Sequence, residues 1–265
     1  MSAQFGDPAE SSGPAGADFV QAFARGLAVI RAFDADHPEL TLSEVAQRAG
    51  ASRAAARRFL ITLETLGYVR ATERVFALTP RVLELGYSYL SSLSLPEIAQ
   101  PHLETLSREL GESSSLAVLD GADVVYVARV PARRIMSVSI TIGTRFPAWA
   151  TSLGRVLLAD RDATEREVLL TAGARHPFTP ETITDASALA AEIDRVAAQG
   201  WALVDGELEE GLRSIAAPVR GPTGRVVAAV NVSMIRRGDP VDQCEQTLPA
   251  LHRATRAIES DLSSR

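Results

Sequence analysis

The chain has 265 residues, of which 46% are hydrophobic and 23% are charged, and its formal net charge is -6. This is the composition of a soluble globular protein that is long enough for one large domain or two smaller ones. The single cysteine, Cys244, excludes a framework of intramolecular disulfides. No apolar run reaches the ~18 residues that a membrane-spanning helix needs.

The N-terminal segment, residues 1–17, is acidic and rich in glycine, proline and serine. It has neither the basic start nor the apolar stretch of a signal peptide. We therefore expect a disordered tail on a cytoplasmic protein.

The first helix is predicted over residues 18–36, followed by a break at "HPEL". Its apolar side chains recur at three- and four-residue spacing, which is the pattern of an amphipathic helix. These side chains are Phe19, Phe23, Leu27, Ile30 and Phe33.

Two further helices are predicted, with a tight turn between them. Thr41 and Glu44 have the spacing of a capping box at the start of the shorter helix, and Gly50 ends that helix. Ser52 is the predicted cap of the next helix, which we expect to end at Gly67. A β-hairpin follows over residues 68–80, with its turn near Thr72–Arg74. This order of elements is that of a winged helix-turn-helix.

Three arginines are predicted to project together from the helix that Ser52 caps. Arg53, Arg57 and Arg58 share one side of the helix, opposite to its apolar stripe. That stripe consists of Ala56, Leu60, Leu63 and Leu66. Residues 45–75 hold six arginines and two glutamates, a local charge of +4 in an acidic chain. All 27 basic residues of the chain are arginines, so the position of these three is more informative than their type.

The second helix of a helix-turn-helix enters the major groove of DNA, where arginine can pair with guanine or with phosphate. Small alanines allow that helix to approach closely. The candidate DNA-binding residues are Ser52, Arg53, Ala54, Arg57 and Arg58 on the helix and Arg70 and Arg74 on the hairpin. For the three arginines alone, a solvated basic face is an equal alternative. The capping box, the glycine turn and the wing favour DNA binding.

A linker helix is predicted over residues 80–95, with Thr79 and Pro80 at its start. Its apolar character suits it to joining two domains or to pairing two chains. Beyond it, an α+β domain with a mainly antiparallel sheet is predicted. Helices are expected at 96–113, 151–160, 186–200 and about 241–262, and strands at 114–121, 123–130, 135–143, 212–220 and 224–235.

A small-molecule site is predicted where a strand meets the helix at 151–160. Thr151, Ser152 and Gly154 would present hydroxyls and free backbone N–H groups, which attract a carboxylate. A plain helix cap is an equal alternative. Strand alternation places Asn231 and Ser233 on one sheet face, as expected for a polar cavity wall.

Two larger side chains are further candidates for the same site. Arg134 shares a strand face with Met136 and could pair with an aromatic carboxylate, although a surface position is as plausible. Trp149 could contact an aromatic ring or belong to the core.

Several motifs, in this order, resemble the IclR family of bacterial transcriptional regulators. They are "ARGLAVIRAF", "LTLSEVAQRAGASRAAARRFLITLETLGYV", "FPAWATSLGRVLLA" and "GLRSIAAPV" followed by "VVAAVNVS". The resemblance covers about residues 18–262. Within the family, "RIMSVSITIGTRFPAWATSLGRVLLA" is most similar to regulators of aromatic-acid catabolism in the protocatechuate and 4-hydroxybenzoate branch of the β-ketoadipate pathway.

The resemblance implies a winged helix-turn-helix, a linker helix and a GAF-like effector-binding domain, in dimers or dimers of dimers on palindromic operators. The effector pocket that it implies includes Ser152, Leu153, Ser214, Asn231 and Ser233, with Asp205 as a weaker member. Some members carry cysteine at the position of Ser214 and serine at that of Asn231, a difference that changes the hydrogen bonds available to a ligand. The expected limits are 1–17 for the tail, 18–79 for the DNA-binding domain, 80–95 for the linker and 96–262 for the effector domain.

The sequence offers no pattern typical of an enzyme or a metal site. Its four histidines have no ligand spacing, and neither a Gly-x-Ser-x-Gly motif nor a phosphate-binding loop is present. We therefore expect no catalysis, no metal and no cofactor.

We predict a DNA-binding regulator of catabolic genes that is controlled by a small aromatic or aliphatic carboxylate. Its expected partners are a double-stranded operator, the effector and further copies of the chain, with RNA polymerase as an additional candidate; no membrane partner is expected. Two alternatives stay open. One is a constitutive DNA-binding protein whose C-terminal domain only oligomerises, and the other is a ligand-binding enzyme with a DNA-binding appendage.

Overall fold

Among the residues that the structure describes, the buried apolar side chains collect in three cores, one before residue 92 and two after it. The computed structural model describes residues 19–85, 94–132, 140–171 and 174–264. The chain divides into two units, Met1–Ser92 and Leu93–Arg265. The domain limits expected from the sequence stay predictions.

The N-terminal unit is a helix-turn-helix with a small antiparallel sheet. Its elements are α1 (Gln21–Arg31), β1 (Glu39–Thr41), α2 (Leu42–Arg48), α3 (Arg53–Thr65), β2 (Val69–Thr72) and β3 (Val75–Leu78). The strands lie in the order β1-β3-β2. Apolar residues from all three helices and from β1 and β2 fill one core. The predicted winged helix-turn-helix is therefore confirmed.

Three details of this unit differ from the prediction. Phe19, Phe23 and Leu27 are exposed, and the helix residue that is fully buried is Val29. The expected break at "HPEL" includes the first residues of β1, a strand too short to show alternation in the sequence. Leu66 is also exposed, because α3 ends at Thr65 and Leu66 is already its C-cap.

The predicted linker begins with a turn of 3-10 helix. Pro80–Val82 form this turn, and the hydroxyl of Thr79 accepts a hydrogen bond from the backbone N–H of Arg81 at 3.3 Å. Residues 86–93, which make up half of the expected linker helix, lie outside the described residues.

The C-terminal unit contains one antiparallel sheet with helices on both faces. Its helices are α4 (Ser94–Leu110), α5 (Ser152–Ala159), α6 (Ala163–Thr171), α7 (Ala186–Gln199) and α8 (Pro240–Ser263). Its strands are β4 (Ser113–Asp120), β5 (Asp123–Val130), β6 (Arg145–Pro147), β7 (Ala202–Asp205), β8 (Leu212–Arg220) and β9 (Val226–Ile235). They lie in the order β6-β5-β4-β9-β8-β7, with every described neighbour antiparallel.

Each face of this sheet has its own core. The outer face, which includes Val230 and Val232, packs against α4 and α8. The inner face, which includes Ala229, packs against α5 and α7. This arrangement confirms the predicted α+β fold and the predicted alternation of β9.

Some elements of this unit were not predicted. The chain after residue 160 was expected to be a loop, but it includes α6, whose residues are all partly exposed and show little periodicity. The edge strands β6 and β7 are only three and four residues long. Most of the strand expected at 135–143 lies outside the described residues, and Ile140–Thr144 are not part of a strand. Among the described helices, none has the length and apolar character needed to cross a membrane.

Candidate DNA-binding helix and effector cavity

Helix α3 is oriented by its cap and its apolar stripe. The backbone N–H of Ala55 donates to the Ser52 hydroxyl at 3.2 Å, which fixes the start of the helix. Ala56 and Leu60 are fully buried, and Leu63 is nearly so. This side is held against the core, so the opposite side faces solvent.

The exposed side of α3 carries basic side chains and a small one. Arg53, Arg57 and Arg58 are all exposed, and Ala54 lies beside them without filling the space between. None of the three arginines forms an ion pair with a carboxylate of the described residues. Their guanidinium groups are therefore available for phosphate or for a base edge.

Helix α2 and the turn that joins it to α3 are both fixed by local chemistry. The Thr41 hydroxyl accepts from the backbone N–H of Glu44, and the Glu44 carboxylate accepts from the Thr41 N–H at 2.7 Å. These hydrogen bonds, first from the Thr41 backbone and then from its hydroxyl, lower the pKa of Glu44. Gly50 has φ +59, a left-handed conformation that suits glycine. The predicted capping box is confirmed.

The two hairpin arginines differ in their surroundings. Arg70 Nη2 lies 3.1 Å from Glu39 Oε1, so this candidate DNA contact is already part of an exposed ion pair. Arg74 is exposed and forms no ion pair among the described residues. The turn between β2 and β3 passes through Glu73, which has φ 54.

The C-terminal unit contains a small cavity between the inner face of the sheet and the start of α5. It has a volume of about 20 Å³, enough for a single water molecule, which needs roughly 10–15 Å³. A larger ligand would require the wall to move outward. The lining residues are Tyr126, Ile140, Ala150, Thr151, Ser152, Val204, Leu208, Leu212, Ser214, Asn231 and Ser233.

One wall of the cavity is a buried polar cluster. The hydroxyls of Ser152 and Ser214 lie 2.7 Å apart, which links α5 to β8. Asn231 Nδ2 donates to Ser214 Oγ at 2.8 Å and to Ser233 Oγ at 3.0 Å. Ser152, Asn231 and Ser233 were predicted from the sequence pattern and Ser214 from the family resemblance, and the structure brings the four together.

One atom of this cluster has no partner. Asn231 is 2% exposed, and its Oδ1 accepts no hydrogen bond from any described residue. An unsatisfied buried acceptor costs about 1–3 kcal/mol. Such an atom can accept a hydrogen bond from a donor that occupies the cavity.

Tyr126 is a cavity residue that sequence reasoning missed. Burial raises its pKa to about 12, although the nearby Arg129 guanidinium opposes this rise. Its hydroxyl is therefore protonated at neutral pH, and it has no hydrogen-bond partner among the described residues. It can donate to a ligand.

A β-bulge places Arg129 on the same sheet face as Tyr126. The register pairs Ala117 with Tyr126 but Leu116 with Ala128, so Val127 is an extra residue. Regular alternation would put residues 126 and 129 on opposite faces. Arg129 is half-buried and donates to Ser115 Oγ at 3.3 Å, and burial lowers its pKa.

Thr151 caps α5 and lines the cavity. Its hydroxyl accepts from the Gly154 N–H at 3.0 Å, and the first backbone N–H groups of the helix lie beside the polar cluster. Gly154 itself lies against backbone, since a Cβ there would be 2.0 Å from the carbonyl oxygen of Ala148. Gly154 and Leu153 are buried in the core and do not line the cavity.

Two other candidates also lie away from the cavity. The Trp149 ring contacts Phe178, with ring centroids 6.0 Å apart, and Ala150 takes the cavity position instead. Asp205 accepts from Arg213 Nε at 2.9 Å and Nη2 at 2.8 Å. Its neighbour Val204 lines the cavity, because alternate residues of β7 point to opposite faces.

Arg134 and Met136 lie outside the described residues. Among the described residues, no group of histidine, cysteine, aspartate or glutamate side chains could hold a metal ion.

An exposed basic helix, α3, in one unit and a cavity with unsatisfied polar atoms in the other are typical of ligand-responsive DNA-binding proteins. Residues 22–73 match the IclR helix-turn-helix domain, and residues 87–260 match the bacterial transcriptional regulator IclR C-terminal domain. The chain belongs to the IclR family of transcriptional regulators, as its motifs predicted.

Two curated relatives bear on the subgroup. The chain is 43% identical over 243 residues to the Pca regulon regulatory protein of Pseudomonas putida, covering 91% of this chain and 84% of the relative. It is 38% identical to the p-hydroxybenzoate hydroxylase transcriptional activator of Acinetobacter baylyi, with 92% of each chain covered. The predicted resemblance to regulators of aromatic-acid pathways is confirmed.

Two solved structures share the fold. A transcriptional regulator from Rhodococcus sp. RHA1 is 55% identical, with a TM-score of 0.83 and coverage of 93% of this chain and 99% of the other. An IclR homologue from Microbacterium hydrocarbonoxydans, complexed with 4-hydroxybenzoate, is 27% identical, with a TM-score of 0.82 and coverage of 92% and 100%.

Proposed function

We propose that this regulator controls genes of aromatic-acid catabolism and that a hydroxylated aromatic acid is its effector. The relatives named for the Pca regulon and for p-hydroxybenzoate hydroxylase support the pathway. The 4-hydroxybenzoate held by the Microbacterium homologue supports the ligand class.

The observation that carries the proposal is the polar cluster at the cavity. Ser152, Ser214, Asn231 and Ser233 are all buried, although apolar residues would fill the same positions at lower cost. The cluster adjoins the start of α5, where the helix dipole and the first backbone N–H groups favour an anion. A polar wall beside an anion-binding helix terminus suits an organic acid.

The effector site that we propose consists of Thr151, Ser152, Ser214, Asn231 and Ser233, with the Tyr126 hydroxyl as an added donor. The carboxylate would lie at the N-terminus of α5. Because the cavity is small, binding must move part of its wall. Two aliphatic side chains of that wall are Leu208, on the segment between β7 and β8, and Leu212, at the start of β8.

For the operator, we propose Arg53, Arg57 and Arg58 as the principal contacts. Ser52 and Ala54 would lie where the helix comes closest to the DNA. Arg74 would contact the flanking backbone, and Arg70 would do so by exchanging Glu39 for phosphate. The chain would act in the cytoplasm as a dimer or dimer of dimers on a palindromic operator. RNA polymerase is a further proposed partner.

Regulation requires that the effector bind two arrangements of the protein with different affinities. The test combines a thermal-shift panel of aromatic and aliphatic acids with operator binding measured with and without each acid. We expect hydroxybenzoates to raise the melting temperature and to change operator affinity. Flat melting curves with every acid would overturn the effector proposal and favour a constitutive DNA-binding protein. Turnover of a bound acid, followed by chromatography, would favour an enzyme.

A further inference from the structure

Asn231 has the most informative side chain at the cavity. It lies on β9 between Ser115 of β4 and Ala216 of β8, with no direct access to solvent. Its amide nitrogen uses both protons, one to Ser214 and one to Ser233. Its amide oxygen, Oδ1, is buried and accepts from no described residue.

The serine hydroxyls of the cluster do not donate a hydrogen bond to this oxygen. Ser214 Oγ accepts from Asn231 and lies 2.7 Å from Ser152 Oγ, so its remaining hydrogen-bonding capacity is directed to Ser152. Ser233 Oγ is 3.4 Å from Ser214 Oγ. The cluster therefore bonds within itself and leaves an acceptor, not a donor, at Asn231.

An unpaired acceptor selects the hydrogen-bonding character of the group that lies beside it. A carboxylate oxygen next to Oδ1 would place two acceptors together, whereas an O–H or N–H group would satisfy the amide oxygen. A plain apolar ring would leave the oxygen unpaired, and a site built to hydrogen-bond a hydroxyl rejects analogues that lack one.

We propose that Asn231 is the residue that determines effector specificity, because its Oδ1 accepts a hydrogen bond from a ring hydroxyl of the effector. This inference rests on the proposed function. It assigns the effector to the hydroxy-substituted aromatic acids, and it places the carboxylate away from Asn231.

The test is calorimetric titration of the full chain with four acids that differ at one ring position. They are benzoate, 4-methylbenzoate, 4-hydroxybenzoate and 4-aminobenzoate. The methyl, hydroxyl and amino groups have similar size, but only the last two can donate a hydrogen bond. We expect 4-hydroxybenzoate and 4-aminobenzoate to bind at least about tenfold more tightly than 4-methylbenzoate.

The outcomes separate the two proposals. If none of the acids binds, the proposed function fails. If all bind with similar affinity, the function stands and the role of Asn231 is overturned. If 4-hydroxybenzoate binds tightly but 4-aminobenzoate is as weak as 4-methylbenzoate, the ligand accepts from the protein instead of donating, which also overturns the inference.

Variants provide a second test. Asn231→Leu keeps the approximate shape but removes the acceptor, so the preference for 4-hydroxybenzoate over 4-methylbenzoate should disappear. Ser107→Ala is the control, because it removes a partly buried hydroxyl of α4 whose partner is Ser114 and which is not part of the proposed site; the preference should persist. If Asn231→Leu does not fold, as judged by circular dichroism, Asn231→Ala replaces it. Retention of the full preference in a folded Asn231 variant would contradict the proposal.

Discussion

Arg155 and Glu207 form a two-pronged salt bridge in the interior of the C-terminal unit. Nη1 donates to Oε1 at 2.8 Å and Nη2 to Oε2 at 2.6 Å, with side-chain exposures of 1% and 8%. The Arg155 Nε–H also donates to the Trp149 carbonyl at 3.0 Å. The pair thus joins α5 to the segment between β7 and β8. Both elements contribute residues to the cavity, because α5 begins there and Leu208 follows Glu207.

Loss of one partner should be costly. We expect Glu207→Gln to lower the free energy of unfolding by up to about 3–5 kcal/mol, because the buried Arg155 charge would keep only the more distant Glu192 carboxylate, 3.9 Å from Nη1, as its counter-ion. Urea unfolding followed by tryptophan fluorescence is the measurement, since both tryptophans of the chain lie after residue 93.

The matched control is Arg253→Gln. It removes an ion pair between Arg253 and Glu109 that is exposed on both sides and joins α8 to α4. We expect a loss of at most about 1 kcal/mol there. Equal losses in the two variants would show that the buried pair contributes no more than a surface one.

Gly154 has no space for a side chain. We expect Gly154→Ala to destabilise the C-terminal unit by about 1–3 kcal/mol or more, since the new methyl would overlap the Ala148 backbone. Gly26→Ala in helix α1 is the control, because its Cβ would meet only Phe59, at 3.8 Å. Calorimetry of both variants is the measurement. A melting temperature unchanged by Gly154→Ala would contradict the close contact.

Tyr126 should titrate unusually late. Because folding raises its pKa to about 12, its contribution to stability is complete below the ordinary tyrosine pKa of about 10 and is lost as the pH rises from there towards 12. We expect the difference in tyrosinate absorbance between the wild type and Tyr126→Phe to appear near pH 12. A difference curve centred near pH 10 would mean that the hydroxyl is not buried.

Arg57 should contribute to operator recognition. We expect Arg57→Ala to weaken binding to a selected operator by about 1–3 kcal/mol, with a smaller loss on random DNA, if Arg57 contacts a base edge. Fluorescence anisotropy at fixed salt measures both, and Arg253→Gln is the charge-matched control. An equal loss on both DNAs would instead make Arg57 a phosphate contact, and no loss would remove it from the interface.

Local signals in the sequence predicted much of the fold. The capping box at Thr41 and Glu44 and the cap at Ser52 set helix starts where the structure has them. Strand alternation predicted the shared face of Asn231 and Ser233. These signals act within a few residues of the chain, so they can be read without knowledge of the tertiary structure.

The rest of the cavity depends on distant segments. Tyr126 comes from β5, whereas Val204 and Leu208 come from β7 and the segment after it, and no local pattern relates these two regions. The salt bridge also needs tertiary structure, although Arg155 in the otherwise apolar "SLGRVLLA" was a signal that a buried partner was required.

The extra residue in β5 has a consequence for how this site can diverge. Deletion of Val127 would give a regular ladder and would still leave Tyr126 and Arg129 on the inner face. Straightening the strand with Val127 retained would turn Arg129 to the outer face. Single-residue deletions at this position should therefore be tolerated among descendants of this chain, whereas one-residue insertions next to it should exchange which side chains point to the inner face of the sheet.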